Sequence, residues 1–280
     1  MRSGFATLIG RPNVGKSTLL NRILGTKVSI VSDKPQTTRT QVRGVLTHGD
    51  DHQIVFVDTP GIHKPRSALG SRLNETARGA ASGDVDVVCL VLDATQPFGR
   101  GDEYVAKPLP RSALVVVNKA DIATRQQMLE MLSAAAALDF AEYFPVSAKT
   151  GAGVDALVAA IVDRLPEGPA YYPDDMVTDV PEAFWVAELV REQLFRLLRE
   201  ELPHSLATRV TEWEWPRIRI EILVERDSQK GIVIGKGGSV LKEVGTLVRE
   251  QLPEGAFVEL HVRVDKDWQR RSSLLDSLGY

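Results

Sequence analysis

The sequence predicts an α/β domain with a mainly parallel, doubly wound sheet, followed by a smaller α+β domain. Three observations lead to this fold class. Before residue 166, short apolar runs rich in β-branched residues alternate with helical patterns, which is typical of a parallel sheet covered by helices. Four of the 15 prolines then lie between Pro166 and Pro181, in a stretch without periodicity. After this stretch, two alternating strand patterns directly follow one another, which indicates an α+β arrangement.

The first domain is expected over residues 1–165, and 166–181 are interpreted as a linker. Its parallel strands are predicted at Phe5–Gly10, Gln53–Asp58, Val85–Asp93, Ala113–Asn118 and Tyr143–Val146. A further alternating run, Val42–Thr47, precedes Gln53 by a short segment that contains Gly49, Asp50 and Asp51. This spacing predicts a hairpin, which adds one antiparallel edge strand to the sheet.

The second domain is expected over residues 182–280 and is predicted to begin with a helix at 182–201. The elements predicted after it are strands at Thr208–Trp215 and Arg217–Glu225, a helical region at 228–252, a strand at Phe257–Val264 and a helix at 266–278. The order of elements is therefore α–β–β–α–α–β.

Composition excludes several classes of protein. With 43% hydrophobic and 25% charged residues among 280, the chain has the balance of a soluble globular protein rather than a disordered one. The only cysteine, Cys89, lies in an apolar run and is interpreted as a core residue, so no intrachain disulfide is expected and a reducing cytoplasm fits best. No apolar stretch approaches the roughly 20 residues of a membrane-spanning helix.

The formal charge of −3 is divided unevenly along the chain. Residues 1–170 carry 19 basic and 17 acidic side chains, whereas residues 171–280 carry 15 basic and 20 acidic ones, which gives +2 and −5. Neither part has the bulk charge of a general polyanion binder. Any nucleic-acid site must therefore arise from local clustering of basic side chains.

A glycine-rich turn joins the first strand to the first helix. Its residues follow the pattern G-x-x-x-x-G-K-[ST], and they are Gly10, Arg11, Pro12, Asn13, Val14, Gly15, Lys16 and Ser17, with Thr18 next in the helix. Such a turn directs backbone N–H groups at phosphate, and the positive end of the helix reinforces them. Lys16 is predicted to reach the β and γ phosphates of a nucleotide, and Ser17 to bind Mg²⁺. The alternative is a glycine-rich turn that binds no ligand.

Two further segments are predicted to meet this turn. Asp58, Thr59, Pro60 and Gly61 follow a buried strand, where Asp58 can hold Mg²⁺ through water and the Gly61 N–H can contact the γ phosphate. Residues 32–40 are polar and without periodicity, as expected of a segment that orders around a ligand. Thr38 is the candidate for a second Mg²⁺ hydroxyl, and Thr37 is chemically equivalent to it.

The choice of base is predicted at the ends of the last two strands. The Asp121 carboxylate of Asn118-Lys119-Ala120-Asp121 can accept two hydrogen bonds from guanine, whereas adenine offers no such pair of donors. Asn118 is expected to connect base and phosphate loop, and the Lys119 stem to cover the ring. A backbone N–H of Ser147, Ala148 or Lys149 is expected to meet guanine O6.

These four motifs, in this order, resemble those of the translation-factor-like GTPases. Together with residues 32–40, residues 58–65 and the second domain, the resemblance narrows to the Era family of bacterial ribosome-assembly GTPases and covers essentially the whole chain. It implies Lys16, Thr38 and Gly61 as catalytic residues and GTP, GDP and Mg²⁺ as ligands. It also implies a K⁺ ion held by Asn13. Ile62 stands where Ras-like enzymes carry a water-orienting glutamine, so catalysis that depends on glutamine is not available.

A second glycine motif, G-x-x-G, lies at Gly235–Gly238 within the second domain. Residues 228–249 carry four basic side chains against one acidic side chain, a local charge of +3. The segment Ile232–Gly238, within a domain of α–β–β–α–α–β order, resembles the corresponding part of a type II KH domain. The glycines of such a domain allow close approach to an RNA backbone. The implied RNA contacts are Lys230, Ile234, Gly235, Lys236, Gly237, Gly238 and Lys242. The alternative is a helical hairpin with a glycine turn.

The resemblance implies a slow, Mg²⁺-dependent GTP hydrolase that binds the 3′ end of 16S rRNA and acts in maturation of the 30S subunit. A cytoplasmic monomer is expected. One alternative is an RNA chaperone that binds nucleotide without turnover. Another is a peripheral-membrane signalling GTPase whose KH-like domain serves for docking. Weak association with the inner face of the cell membrane would involve Trp268, Arg270 and Arg271, although a helix packed on the KH domain is favoured for them.

Overall fold

The computed structural model describes residues 1–64, 68–82, 85–200 and 202–280. The chain forms two compact units, one built from residues up to Asp179 and a second built mainly from Val180–Tyr280. Pro65 of the segment 58–65 and Glu201 lie outside the described residues. The helix predicted at 182–201 is too long, because Leu198 is extended with a ψ of 154° and the helix ends at Leu197.

The first unit contains a six-stranded sheet, and the predicted mainly parallel topology is confirmed. The strands are β1 (Arg2–Gly10), β2 (Val42–His48), β3 (His52–Asp58), β4 (Val87–Asp93), β5 (Leu114–Asn118) and β6 (Glu142–Pro145). Their order is β2-β3-β1-β4-β5-β6, and only the β2–β3 pair is antiparallel. The predicted edge hairpin is thus present, and the carboxyl ends of β1, β3, β4 and β5 lie at the same edge of the sheet.

Helices complete this unit and bury the sheet. They are α1 (Lys16–Leu24), α2 (Ala68–Ser82), α3 (Arg100–Ala106), α4 (Arg125–Ala136) and α5 (Val154–Val162). All five residues of β5 are buried, as expected of a central strand covered on both faces. Cys89 has no exposed surface, and burial raises the pKa of its thiol to about 12, which confirms its interpretation as a core residue.

The stretch interpreted as a linker packs against the first unit as far as Asp179. The side chain of Gln53 is fully buried, and its Oε1 accepts hydrogen bonds from the backbone N–H groups of Tyr171 and Tyr172 at 2.7 and 3.0 Å. The Val45 N–H donates to the Val177 carbonyl at 2.8 Å. These bonds join positions more than a hundred residues apart in sequence, so the proline content of the stretch could not reveal them.

The second unit has the predicted α–β–β–α–α–β order. Its main elements are α6 (Glu182–Leu197), β7 (Ala207–Glu214), β8 (Arg217–Val224), α7 (Asp227–Ile234), α8 (Ser239–Arg249), β9 (Phe257–Val264) and α9 (Ser272–Ser277). In its sheet, β8 pairs antiparallel with β7 and parallel with β9. Apolar side chains of α6, β8 and α8 form one core.

The predicted helix at 266–278 is wrong in its first half. Asp267 has a φ of 55° and Arg271 is extended, so α9 begins only at Ser272. Trp268 has no exposed surface, and its Nε1 donates to the Ser205 carbonyl at 3.1 Å. Burial of this tryptophan, together with that of Leu275, agrees with a segment packed on the second unit rather than one lying on a membrane. Among the described residues, no helix combines the length and apolar character needed to cross a bilayer.

Candidate functional site

The phosphate-binding loop leads from β1 into α1 and encloses the side chain of Lys16. The Lys16 Nζ donates to the carbonyl oxygens of Gly10 and Arg11 at 3.2 and 2.9 Å, and the residue is 6% exposed. Burial lowers the pKa of Lys16 to about 8, although the neighbouring Asp58 carboxylate acts in the opposite direction. The charge of Lys16 would therefore interact strongly with an anion bound in the loop, because little water lies around the ammonium to screen it.

Gly15 has to be a glycine for two reasons. Its φ is 98°, and a Cβ at this position would lie 2.3 Å from Nδ2 of Asn118. The close approach lets Asn118 Nδ2 donate to the Val14 carbonyl at 2.8 Å. The glycine motif thus allows the loop at the end of β5 to contact the phosphate-binding loop directly.

Three oxygen-bearing side chains meet at the start of α1. The Ser17 Oγ lies 2.9 Å from the Thr38 Oγ1 and 2.6 Å from the Asp58 Oδ2. Adjacent ligands of an octahedral Mg²⁺ ion with bonds of about 2.1 Å are about 3 Å apart, so the separation of the two hydroxyls fits a shared ion. The Asp58 Oδ1 is buried and has no hydrogen-bond partner among the described residues, which fits a water of that ion. These residues therefore form a donor set suited to Mg²⁺.

The two equivalent threonines of residues 32–40 differ in the structure. Thr37 Oγ1 donates to the Lys34 carbonyl at 2.7 Å, within its own loop, whereas Thr38 faces Ser17. Thr38 is buried, with 8% of its surface exposed. The geometry thus separates two residues that sequence reasoning left open.

Gly61 lies against the phosphate-binding loop. A Cβ at this position would be 2.6 Å from the backbone nitrogen of Pro12, and the Ile62 N–H donates to the Gly10 carbonyl at 3.1 Å. The side chain of Ile62 is 3% exposed and packs in the core beside Ile9. It therefore points away from any water that could attack a phosphate.

The segments 32–40 and 58–64 also contact each other. Gln36 Nε2 lies 2.9 Å from His63 Nε2, while Asn74 of α2 bonds the backbone N–H and carbonyl of His63 at 3.2 and 2.5 Å. The His63 ring is thus engaged by a residue of the segment 32–40, and its backbone is held by α2.

The residues predicted to read the base lie together at the ends of β5 and β6. Asp121 Oδ1 accepts a hydrogen bond from Ser147 Oγ at 2.7 Å, and Lys119 Nζ lies 2.6 Å from Asp93 Oδ2. Ala148 N–H donates to Asn118 Oδ1 at 2.9 Å. Of the three candidate donors to guanine O6, two are therefore already used within the protein, because the Ser147 N–H donates to the Ala152 carbonyl at 2.9 Å.

Sequence reasoning missed several residues that hold this site in place. Ser29 Oγ donates to Asp58 Oδ2 at 3.0 Å, and Asn21 Oδ1 accepts from the N–H groups of Val28 and Ser29. Arg11 forms an ion pair with Asp102 at 3.0 Å. Asn21, Ser29 and Asp102 lie outside the predicted nucleotide-binding motifs, so the motifs alone could not identify them.

In the second unit, α7 and α8 are joined by the G-x-x-G motif. Gly235, Gly237 and Gly238 all have positive φ, at 75, 60 and 80°. A Cβ on Gly235 would lie 2.6 Å from a methyl carbon of Val240, whereas Gly237 and Gly238 face open space. The turn therefore depends on three glycines rather than only on the two that the G-x-x-G pattern names, since Gly237 is also left-handed.

Comparisons with known proteins identify both domains. A family model described as "50S ribosome-binding GTPase" matches residues 5–119, and a KH domain model matches residues 201–269. GTPase Era of Clostridium botulinum (strain Alaska E43 / Type E3) is 44% identical over 294 residues, covering 100% of this chain and 98% of the relative.

Two crystal structures are similar along the whole chain, each at 39% identity and covering 100% of this chain and 99% of the other. One is a variant of Aquifex aeolicus Era bound to GDP and AlF₄⁻, with a TM-score of 0.94. The other is Era in complex with MgGDPNP and nucleotides 1506–1542 of 16S ribosomal RNA, with a TM-score of 0.95. Because the similarity extends over both units at these identities, the chain belongs to the Era family of GTPases.

Proposed function

We propose that this GTPase is a switch that binds the single-stranded 3′ end of 16S rRNA and acts in maturation of the 30S subunit. The observation that carries the proposal is the full-length similarity to an Era structure that holds both MgGDPNP and nucleotides 1506–1542 of 16S rRNA. Its domain plan is a GTPase domain over residues 1–165 and a KH domain over residues 182–280. It acts in the cytoplasm as a monomer.

The proposed hydrolytic machinery consists of Lys16, Thr38 and Gly61. Lys16 stabilises negative charge on the phosphates, and its buried ammonium makes this interaction strong. Gly61 lies against Pro12, which brings its backbone to the loop that receives the γ phosphate, and its N–H is the proposed contact with that phosphate. Bound Mg²⁺, held by Ser17 and Thr38 with Asp58 behind a water, would neutralise charge on the phosphate oxygens.

A K⁺ ion beside the phosphates is a further part of the proposal. Asn13 has a φ of 64°, and its Nδ2 donates to the Asp33 carbonyl at 2.6 Å. This bond is made by the amide nitrogen, so Oδ1 is the atom assigned to the ion. The same bond ties the phosphate-binding loop to the segment that carries Thr38.

Guanine is proposed to bind Asp121, whose Oδ1 is oriented by Ser147. The Lys119 stem covers the ring, and the ion pair with Asp93 holds that stem in place. Because the Ala148 N–H is bonded to Asn118 and the Ser147 N–H to the Ala152 carbonyl, we assign the contact with O6 to Lys149 N–H. The remaining residues proposed to line the nucleotide are Gly10, Arg11, Pro12, Val14, Gly15, Thr18, Thr59 and Pro60.

The RNA surface is proposed at the G-x-x-G turn and the helices beside it. Arginines on the sheet of this unit are paired with glutamates, as in the Arg209–Glu221 and Arg217–Glu259 pairs. Lys236 and Lys242 are exposed near the turn. An acidic domain can thus present a local positive surface to phosphates. The residues proposed to contact RNA are Lys230, Ile234, Gly235, Lys236, Gly237, Gly238 and Lys242.

The peripheral-membrane alternative would need an exposed apolar or aromatic surface in the last helix. Trp268, Leu275 and Leu278 are instead buried, at 0, 3 and 5% exposure. A donor set for Mg²⁺ also serves a protein that binds the nucleotide without turnover, so the chaperone alternative is tested by hydrolysis itself.

The decisive experiment measures phosphate release from GTP with and without an oligonucleotide of the 16S rRNA 3′ end, in potassium and in sodium buffers. We expect slow turnover that RNA accelerates and that potassium favours over sodium. Binding of the same protein to acidic vesicles serves as a parallel assay. Vesicle binding without RNA binding would support the signalling alternative, and absence of hydrolysis under all conditions would support the chaperone.

A further inference from the structure

The edge hairpin carries a cluster of metal-ligating side chains that the nucleotide site does not use. His48 and His52 are cross-strand partners in the β2–β3 pair, and their rings stack with centroids 5.3 Å apart and planes 7° apart. Asp51 Oδ2 lies 2.9 Å from Nδ1 of His52. One ligand atom from each of the three residues lies within 4.8 Å of the others.

This cluster is separate from the Mg²⁺ donor set. His52 and Asp58 are the first and last residues of β3, and a strand of this length places them roughly 20 Å apart. The chemistry of the donors also differs, because Mg²⁺ prefers oxygen whereas imidazole nitrogen suits Zn²⁺, Ni²⁺ and Cu²⁺.

We propose that His48, Asp51 and His52 bind one divalent transition-metal ion of the Zn²⁺ class. Asp51 Oδ2 and His52 Nδ1 lie 2.9 Å apart. Ligands of one Zn²⁺ with bonds of about 2.0–2.2 Å lie about 3–3.5 Å apart, so the ion can take the place of the proton between these two atoms with little movement. His48 is exposed, so its ring can rotate toward the ion at little cost. The site then has three protein ligands.

The backbone of the hairpin holds these residues in position. The Asp51 N–H donates to the His48 carbonyl at 3.1 Å, and Gly49 has a φ of 49°. The antiparallel pairing of β2 with β3 begins at His48 and His52 and continues along the whole of both strands. Little further ordering is therefore needed when the metal binds, which lowers the entropic cost of the site.

The surroundings favour a cation with an open coordination position. The three ligands border a groove of about 490 Å³, and its lining includes Asp155 of α5 and Asp163, the residue that follows this helix. Arg22 also borders the groove, but its guanidinium is directed at the carbonyl groups of Ala148 and Lys149. The groove has space for a water or a small anion as the fourth ligand of the ion.

The test uses the full-length, nucleotide-free protein without a histidine tag, in millimolar Mg²⁺ to occupy oxygen-only sites. Calorimetric titration with ZnCl₂ should give one ion per chain with a Kd on the order of 1 μM. His48→Gln and His52→Gln should each weaken binding at least about tenfold. His261→Gln is the matched control, because His261 also contacts a carboxylate, at 3.0 Å from Glu259, but belongs to no cluster of three ligands among the described residues.

Titration with CoCl₂ gives an independent spectroscopic readout. Bound Co²⁺ should show visible absorption bands that both histidine variants lose, while thermal melts followed by circular dichroism establish that the variants are folded. Binding of Zn²⁺ that is unchanged in the folded histidine variants would overturn the proposal. Failure of the wild-type protein to bind Zn²⁺ saturably would also overturn it.

Discussion

Replacing Gln53 by leucine should release one part of the stretch that leaves the GTPase domain. The Gln53 side chain makes three hydrogen bonds to this stretch: Oε1 accepts from Tyr171 and Tyr172 N–H at 2.7 and 3.0 Å, and Nε2 donates to the Tyr172 carbonyl at 2.9 Å. At about 1 kcal/mol for each bond, leucine removes about 3 kcal/mol of local stabilisation. This corresponds to an increase of about 100-fold in the population in which the stretch is detached.

Hydrogen exchange of individual amides measures this effect. In the Gln53→Leu protein, the Tyr171 and Tyr172 amides should exchange about 100-fold faster than in the wild type. The Val45 amide, bonded to the Val177 carbonyl at 2.8 Å, should keep its rate because that contact does not involve Gln53.

Thr47→Val is the matched control for this substitution. It removes only the 2.9 Å bond between Gln53 and Thr47, which does not reach the stretch. Unchanged exchange at Tyr171 and Tyr172 would refute the role of Gln53. Equal acceleration at Val45 would instead show that the whole stretch opens as one unit.

Four further predictions concern the nucleotide site, the core and the RNA surface. Asp121→Asn should shift preference from GTP toward xanthosine triphosphate, because the new amide donates to the 2-oxo group of xanthine; an unchanged ratio in parallel titrations would contradict the base-binding role. Basal turnover in sodium should lie within roughly tenfold of 10⁻⁴ s⁻¹, because buried Ile62 cannot orient water, and rapid phosphate release would refute this. Cys89 should react with thiol reagents only on unfolding in urea, since burial raises its pKa to about 12, whereas prompt labelling of the native protein would contradict its burial. Lys236→Asp with Lys242→Asp should weaken binding of the rRNA 3′-end oligonucleotide about tenfold or more, leaving GTP-analogue affinity and the exposed control Lys266→Asp unaffected; retained RNA affinity in the folded double variant would place the RNA surface elsewhere.

Charge reversal at the two lysines is a cleaner test than substitution of Gly237. The φ of Gly237 is 60°, a region that side chains other than glycine rarely adopt. An aspartate there would combine a change of charge with backbone strain, and loss of RNA binding would then have two explanations. Lys236 and Lys242 are exposed, so their replacement changes the charge and leaves the left-handed glycines in place.

The strands, the mainly parallel sheet and the motif positions could be predicted because the signals are local. A continuous apolar run such as Val87–Asp93 indicates a strand buried on both faces, and parallel strands bring the loops after them to one edge of the sheet. The positions of Lys16, Asp58 and Asp121 near that edge follow from this topology alone. The helix predicted from residue 266 failed because Asp267 adopts a left-handed conformation, which no periodicity reveals.

By itself, the sequence determined the order of the elements, and it predicted the loop that receives phosphate and the residue types that select guanine. Only the tertiary structure decided which of two adjacent threonines faces Ser17, since their identical side chains differ in the direction of the backbone that carries them. It also decided that residues 166–179 lie against the sheet, and that His48 and His52 meet across a hairpin. Hydrogen bonds and ligand sets depend on distances between side chains, and chain folding sets those distances among residues that no sequence spacing relates.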